Sequence, residues 1–538
     1  MLNATVDPKT ISQPEFGLFV EKDVDMPMRD GLNLKCDIFR PGDGGRFPVI
    51  MTFGPYPKDF HIDYGEEADE SGPYMHWESA NPEWWVPRGY VQIRVDMRGS
   101  GKSPGFCDIV SRSEAEDYYD AIEWAAKQTW CNGNVGLMGI SYFAMNQWNV
   151  ASIQPPSLKA MIPWEGWADL YRDVVYHGGI FADGFLGFWF WNRVVKQTLV
   201  SNTENWKDRF APFFDNIKGN DLDNAYYEGR SAKWDKVTLP FLSAGNWGGP
   251  GLHLRGNMEG FVRAASKHRR LRVHTGTHIA PFYTLDGRLD QIRFFDYWLK
   301  GVENGLPEDP PVKLAIRTGS DEAYWRFENE WPLARTKWTK YFLRADKGGL
   351  TTAAPADVGH VSYSAEGPRG DDFRGAGFVS EPFAEDTEIT GPMNLVMWIS
   401  STVDDMDIFA TIHNIAPDGS EVTYREGKNL PICAAEGWLR ASHRKLHPDL
   451  SSPYRPYHTH DVFQELTPGE PVKVEVEILP MSTVFKKGHR IRLDVQPWDD
   501  DPNTRFSHDN SDHWRGENTI YTGGDQASYL LLPIIPPK

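Results

Sequence analysis

A serine stands where the sequence changes from a strand pattern to a helix pattern. Residues 135–140 form an apolar run rich in glycine, Ser141 follows directly, and a helical segment begins after it. Small residues flank the serine at Gly139 and Ala144, although Phe143 breaks the general pattern Gly-x-Ser-x-Gly. A sharp turn at such a junction exposes the serine hydroxyl, and free N–H groups at the helix start can stabilise an oxyanion. The segment therefore predicts a nucleophilic serine that forms an acyl intermediate.

Alternating strand and helix patterns surround this serine and indicate the sheet that must position it. A helix is predicted over residues 111–129, where Ser111 and Glu114 have the spacing of a capping box. Runs of apolar and β-branched residues predict buried strands at 47–53, 90–95, 135–138, 158–163, 239–244 and 270–274. Strand, helix and strand in this order predict a parallel sheet with helices on its faces.

Two changes in the pattern of predicted strands and helices divide the chain into domains. The strand and helix signals of the core lie in residues 1–163 and 238–310. The stretch 164–237 between them is too long for a connection, so we expect an inserted helical cap. Over residues 311–538, short alternating strands lie between clusters of Gly, Pro and Asp. The expected fold class is α/β, with an α/β-hydrolase core, an inserted helical cap and a C-terminal all-β sandwich of the jelly-roll kind.

Composition and charge exclude several classes of function. Asp and Glu total 75 against 56 Lys and Arg, and a net charge of −19 repels nucleic acid and anionic lipid surfaces. The four cysteines are far apart, which argues against a disulfide framework and a zinc site. No run approaches the length of a membrane span. We therefore expect a cytoplasmic protein without cofactor or metal, which acts on a small molecule and for which a homodimer is one alternative.

The serine segment resembles that of the cocaine esterase and X-Pro dipeptidyl-peptidase family of hydrolases. That family uses Gly-x-Ser-Tyr-x-Gly, which Gly139, Ser141 and Tyr142 match, while Ala144 replaces the last glycine. The family's opening hairpin, a loop after an early core strand, and the helix after its histidine are similar to residues 24–31, 96–103 and 295–301. The resemblance covers nearly the whole chain and implies a hydrolase core, a helical cap and a jelly-roll.

The resemblance also implies roles for individual residues. Tyr56, in the segment Gly-Pro-Tyr-Pro-Lys, matches the family's oxyanion tyrosine, and the N–H of Tyr142 would be the second donor. A phenol suits this role because it donates a hydrogen bond without titrating near neutral pH. His278 follows the last core strand and would act as general base and then acid, whereas His274 is expected to pack within that strand.

The acid of the triad is the point at which this sequence departs from the family. The family places an aspartate shortly after the strand at 239–244, but this chain has no carboxylate there, and Gly249 aligns with the aspartate. Glu165 is our candidate, because it follows a neighbouring strand at the same edge of the sheet and could reach the same imidazole. Asp169 is a second candidate, and a histidine without any carboxylate is the third alternative.

The aromatic residues beside this acid suggest a pocket for an apolar or aromatic substrate group. Trp164 and Trp167 are the candidate substrate-binding residues. The expected function is that of a serine hydrolase that cleaves an ester or amide of a small or medium-sized organic substrate. The alternatives are an acyltransferase of secondary metabolism, in which an alcohol or amine replaces water, and an inactive hydrolase scaffold that acts as a binding protein. The sequence does not choose among ester, amide and peptide substrates.

Overall fold

The computed structural model describes residues 7–42, 44–199, 206–366, 373–425, 427–499, 508 and 515–537. They fall into two units of close internal contact. The first unit comprises Met1–Leu170, Gly187–Asn220 and Ala225–Lys313, and the second comprises Tyr171–Leu186, Asp221–Asn224 and Leu314–Lys538. The stretch 164–237, which we expected as an inserted cap, is thus shared between the two units.

A sheet of eight strands, counted over the described residues, forms the centre of the first unit. Their bounds are β1 Leu18–Pro27, β2 Asn33–Pro41, β3 Phe47–Gly54, β4 Val91–Asp96, β5 Cys131–Ile140, β6 Leu158–Trp164, β7 Phe241–Asn246 and β8 Arg269–His274. The strands pair in the order β1, β2, β4, β3, β5, β6, β7, β8. The pairs of β1 with β2 and of β2 with β4 are antiparallel, and all later pairs are parallel. Helices cover such a sheet on both faces, which explains why β4 is buried over its whole length and β3 is buried beyond its first residue.

Five longer helices lie between the strands in the described part of the chain. They are α1 Arg112–Ala126, α2 Tyr142–Ala151, α3 Asp183–Trp189, α4 Leu254–Arg263 and α5 Leu285–Lys300. Short helical turns lie at Pro82–Trp85, Tyr171–Val175, Phe190–Val195, Lys196–Thr198, Phe213–Lys218, Ala225–Glu228 and Ala280–Tyr283. None of the helices in the described ranges combines the length and the apolar character that crossing a bilayer requires.

The contacts of α1 and α5 fix the sheet around the nucleophile. The side chain of Ser111 caps α1 by accepting the N–H of Glu114, as the capping-box spacing predicted. The Glu114 carboxylate does not return to Ser111 but accepts the N–H of Val110 at 2.6 Å. Against β5, α5 packs so closely that a Cβ at Gly136 would lie 2.7 Å from the Leu299 side chain. The strand that leads to Ser141 thus packs against both α1 and α5.

The second unit is rich in strands, as the texture of the C-terminal sequence predicted. The strands are β9 Val312–Arg317, β10 Ala323–Glu328, β11 Lys337–Arg344, β12 Gly349–Thr351, β13 Gly359–Ser364, β14 Ala376–Ser380, β15 Thr387–Ser401, β16 Asp407–Ile415, β17 Ala435–Arg440, β18 Val472–Phe485, β19 Arg490–Gln496, β20 Glu517–Thr522 and β21 Tyr529–Ile535. Two-residue strands lie at Tyr176–His177, Ile180–Phe181, Tyr424–Arg425 and Pro431–Ile432.

The pairing of these strands refines the expected sandwich, because it closes into a ring. The ring runs β15, β18, β17, β16, β19, β14, β12, β11, β21 and back to β15. The long strand β15 makes closure possible, since its register shifts between Gly391 and Met393 and it pairs with three different strands. A bulge bends a strand so that it can pass from one layer of a sheet to another. The closed sheet is a barrel in place of two separate sheets.

Candidate active site

Ser141 lies at a sharp turn between β5 and α2. Its φ and ψ are 60° and −114°, a combination that residues with a side chain rarely adopt. The Ser141 N–H holds the turn by donating to the carbonyl oxygens of Trp164 and Glu165, each at 3.1 Å. The strand, the strained serine and the helix together have the geometry of a nucleophile elbow.

Close approach on two sides requires small residues around this turn. A Cβ at Gly139 would lie 2.4 Å from the Cβ of Phe143, which is too close for any side chain. In the loop after β6, a Cβ at Gly166 would lie 2.6 Å from the Cβ of Ala144. The chain therefore tolerates alanine at position 144, where the resembling family has glycine, because the facing residue has no side chain.

The Glu165 carboxylate brings two histidines together at the end of the sheet. Its Oε2 lies 2.7 Å from Nδ1 of His278, and its Oε1 lies 2.9 Å from Nε2 of His274. Asn246 donates a third hydrogen bond to Oε1 at 3.1 Å. The Glu165 backbone has a φ of 49° and donates its N–H to the carbonyl of Ala244 at 2.7 Å. The carboxylate is thus fixed between the ends of β6, β7 and β8.

The charges of this cluster shift the pKa values of its members. Burial opposes the charged form of Glu165, but the two histidines outweigh it and lower the Glu165 pKa to about 2. Burial also opposes the His278 cation, but the Glu165 and Glu78 carboxylates raise the His278 pKa to about 10. Burial lowers the pKa of His274 and, assisted by the charge of His278, lowers that of His253 to about 3. Positive charge in this cluster is therefore concentrated on His278, whose cation the Glu165 carboxylate stabilises.

The candidate positions for the triad acid can be compared by their distance to His278 and Glu165. A Cβ at Gly249 would lie 3.9 Å from Oε2 of Glu165. A side chain at 249 and the side chain of Glu165 thus point to the same place, although they come from different loops. Asp169 lies four residues beyond Glu165 and is only partly buried. His278 makes its hydrogen bond with Glu165, the first of our two candidates.

Tyr56 is buried next to Ser141, with only 2% of its surface exposed. Its hydroxyl accepts a hydrogen bond from Nε1 of Trp189 at 2.7 Å. Burial raises the pKa of Tyr56 well above its usual value, and Glu78 raises it further, while hydrogen bonding with Trp189 and Ser141 works in the opposite direction. The phenol therefore stays protonated and keeps its own O–H available as a donor.

Tyr142 is positioned through its side chain. Its hydroxyl donates to Oε2 of Glu114 at 2.7 Å and accepts the N–H of Val110 at 3.1 Å. As the first residue of α2, Tyr142 has an N–H outside the hydrogen-bond ladder of the helix, next to Ser141. The fixed side chain holds Tyr142 in place directly after the serine.

The two predicted pocket tryptophans are both buried. Trp164 is fully buried and stacks on His274 with ring centroids 5.1 Å apart, so it supports the cluster from within the core and does not line a pocket. Trp167 is also buried, and its backbone contacts Gly256 of α4. Trp189, which sequence reasoning did not single out within the aromatic run at 185–191, donates its Nε1–H to the Tyr56 hydroxyl.

Sequence reasoning also missed Glu78 and His253. Oε1 of Glu78 lies 3.3 Å from Nε2 of His278, and the His253 ring stacks on the His278 ring at 5.2 Å. Neither residue belongs to a motif, because loops far apart in the sequence bring them to the site. Among the described residues, no group of three or more His, Cys, Asp or Glu is arranged to hold a metal ion.

Two family descriptions match this chain in sequence. "X-Pro dipeptidyl-peptidase (S15 family)" matches residues 30–280, and "X-Pro dipeptidyl-peptidase C-terminal non-catalytic domain" matches residues 304–531. Cocaine esterase from Rhodococcus sp. is 25% identical over 96% of this chain and 98% of its own. A putative Xaa-Pro dipeptidyl-peptidase from Bacillus anthracis is 27% identical over 59% of this chain and 57% of its own.

A solved structure extends the match to the fold. The crystal structure of a CocE/NonD family hydrolase from Staphylococcus aureus is 33% identical, covers 99% of this chain and 98% of its own, and has a TM-score of 0.89. The sequence matches, this structure and an α/β-hydrolase sheet with a serine at its elbow all agree. The chain is a serine hydrolase that belongs to the cocaine esterase and X-Pro dipeptidyl-peptidase (CocE/NonD) family.

Proposed function

We propose that the protein hydrolyses an ester or amide of a small or medium-sized organic substrate through an acyl-serine at Ser141. The observation that carries this proposal is the contact of 2.7 Å between Oε2 of Glu165 and Nδ1 of His278, beside a serine at a strained elbow. Together these residues offer a nucleophile, a base and an acid that orients the base.

In the proposed mechanism His278 carries the proton through both halves of the reaction. Oγ of Ser141 attacks the substrate carbonyl carbon, and Nε2 of His278 takes the hydroxyl proton. Glu165 holds the N–H at Nδ1 and stabilises the imidazolium that forms. When the tetrahedral intermediate collapses, the leaving alcohol or amine takes the proton from Nε2. Water then attacks the acyl-serine, with Nε2 of His278 taking its proton and returning it to Oγ of Ser141. The carboxylic acid product is released.

Tyr56 and the Tyr142 N–H are the proposed oxyanion donors. Trp189 donates to the Tyr56 oxygen, which leaves the phenolic hydrogen to point at the developing negative charge. Burial keeps this phenol protonated and strengthens its hydrogen bond to an anion. The second donor comes from the start of α2, where the helix dipole also favours negative charge.

The substrate class is drawn from the names of the relatives and from the site. One relative is named a cocaine esterase and another a putative Xaa-Pro dipeptidyl-peptidase, so the proposal includes both esters and amides. Trp77 and Trp189 lie next to Tyr56 and favour an apolar or aromatic substrate group. The jelly-roll class of the second unit, the cytoplasmic location and a homodimer stay predictions.

The test is intact mass after incubation with a fluorophosphonate, which labels an activated serine. We expect one adduct on the wild type, no adduct on Ser141→Ala, and labelling slowed by about 10³-fold or more in His278→Ala and Glu165→Gln. Asp169→Asn is the matched control for the acid and should label as the wild type does. Fast labelling of Glu165→Gln would refute Glu165 as the acid, and a wild type without adduct would refute the serine hydrolysis itself.

A further inference from the structure

The catalytic histidine has a carboxylate on each side. Nδ1 of His278 contacts Glu165 at 2.7 Å, and Nε2 contacts Oε1 of Glu78 at 3.3 Å. Among the described residues, His278 makes no hydrogen bond with Ser141. Nε2 is the nitrogen that must take the serine proton. Glu78 thus contacts the nitrogen atom that must accept the serine proton in the proposed reaction.

The backbone around Glu78 ties this carboxylate to the elbow. Glu78 has a φ of 55° and is only 3% exposed. Its carbonyl accepts the N–H of Ile140, the residue before Ser141, at 3.0 Å, and its own N–H donates to the Tyr64 hydroxyl at 2.8 Å. Its Oε2 is buried and has no hydrogen-bond partner among the described residues. A buried carboxylate oxygen without a partner is costly, which argues for a function at this position.

We propose that Glu78 is a positioning residue that competes with Ser141 for Nε2 of His278. In the free enzyme a protonated His278 bridges the two carboxylates. To act as a base, His278 must lose the proton at Nε2 and exchange Glu78 for the Ser141 hydroxyl. Glu78 therefore raises the pH at which the base becomes available. This inference rests on the proposed function, because it assumes that His278 activates Ser141.

The charges that face His278 favour this assignment. The carboxylates of Glu165 and Glu78 stabilise the cation, whereas burial opposes it. The His253 ring, stacked on His278, has a pKa lowered by burial and stays neutral. His274 contacts the far oxygen of Glu165 and also has a lowered pKa. Burial raises the pKa of Glu78, whereas its hydrogen bond with His278 and the charges of His278 and Arg193 work in the opposite direction.

The experiment is the pH dependence of the fluorophosphonate labelling rate in wild type and Glu78→Gln. Glutamine keeps the shape and one oxygen but removes the charge. Loss of a charge that stabilises the His278 cation lowers the His278 pKa, so the base becomes available at lower pH. The labelling rate falls toward low pH as His278 becomes protonated, and we call the midpoint of this fall the acid limb. We expect the acid limb of Glu78→Gln to lie about one pH unit below that of wild type. At pH values below both midpoints, Glu78→Gln should label about tenfold faster than wild type.

Matched variants separate this role from a structural one. Glu70→Gln removes another buried carboxylate, which contacts Arg288 at 2.7 Å, and should leave the acid limb in place. Glu78→Asp keeps the charge but moves it away from His278 by the length of one methylene group. Its acid limb should lie between those of wild type and Glu78→Gln. This variant tests the inference if Glu78→Gln does not fold. Slower labelling of the Glu78 variants with an unchanged limb would mean a structural role and overturn the inference alone. Absence of any adduct on wild type would overturn the proposed function and this inference with it.

Discussion

Neighbouring side chains fix the position of the Tyr56 hydroxyl. Its oxygen accepts from Trp189, and its ring packs edge-on against Phe143 with centroids 5.4 Å apart. These contacts fix the hydroxyl before any substrate arrives. A donor that needs no rearrangement stabilises a transition state more effectively than a mobile one.

Removal of this hydroxyl should therefore affect the chemical step. We expect Tyr56→Phe to lower kcat on an activated ester by about 10²-fold, with little change in KM, because the lost hydrogen bond forms only with the oxyanion. Tyr118→Phe is the control, since Tyr118 is an equally buried tyrosine whose hydroxyl binds the carbonyl of Met51. Steady-state kinetics of both variants would decide, and a rise in KM at constant kcat would contradict the role.

At the scale of elements, the carboxyl ends of neighbouring parallel strands bring the acid and its partners together. Glu165 follows β6, Asn246 ends β7, and His274 ends β8. These positions share one edge of the sheet, where open α/β sheets hold their ligands. An acid can therefore be supplied from more than one strand, provided that its side chain reaches the same point.

The space at Gly249 allows this idea to be tested by moving the acid. We expect Glu165→Ala to lose at least about 10³-fold in labelling rate, and the double variant Glu165→Ala with Gly249→Asp to recover at least about tenfold, because an aspartate there reaches the place vacated by Oε2. Glu165→Ala with Gly249→Asn is the control for shape without charge. Equal rates for the two double variants would show that position 249 cannot supply the acid.

The sequence predicts the parts of this site that follow from strand order. The elbow at Ser141 and the shared edge of Glu165 with His278 could be predicted, because both depend on where strands end. The contacts of Glu78, His253 and Trp189 could not, since they depend on how long loops fold back over that edge. His274 was expected only to pack, yet it shares the Glu165 carboxylate. The closure of the second sheet was also missed, because it depends on pairings between strands far apart in the sequence and on a register shift between Gly391 and Met393.

At the scale of the whole molecule, the charge of −19 acts on every substrate that approaches. A negative field lowers the local concentration of anions and raises that of cations, and salt screens it. The effect concerns encounter and not the chemical step, so it should appear in kcat/KM and disappear in kcat.

A set of three esters with the same acyl group would measure this field. We expect kcat/KM to rise with salt for an ester with an anionic leaving group, and to fall for a cationic one, by a factor of about two to five between roughly 10 and 150 mM. A neutral ester is the internal control. Identical salt responses of all three esters would mean that the field does not reach the site.

The close contact between positions 144 and 166 has a consequence for the history of this chain. An alanine at 144 and a side chain at 166 exclude each other, because their Cβ atoms would lie 2.6 Å apart. If an ancestor carried glycine at 144, the change to alanine required that residue 166 was already glycine. Glycine at 166 is required in either case, because a Cβ there would also lie 2.8 Å from the backbone nitrogen of Met145 and 2.9 Å from the carbonyl carbon of Ala144. Descendants of this chain can therefore exchange glycine and alanine at 144, whereas position 166 stays glycine.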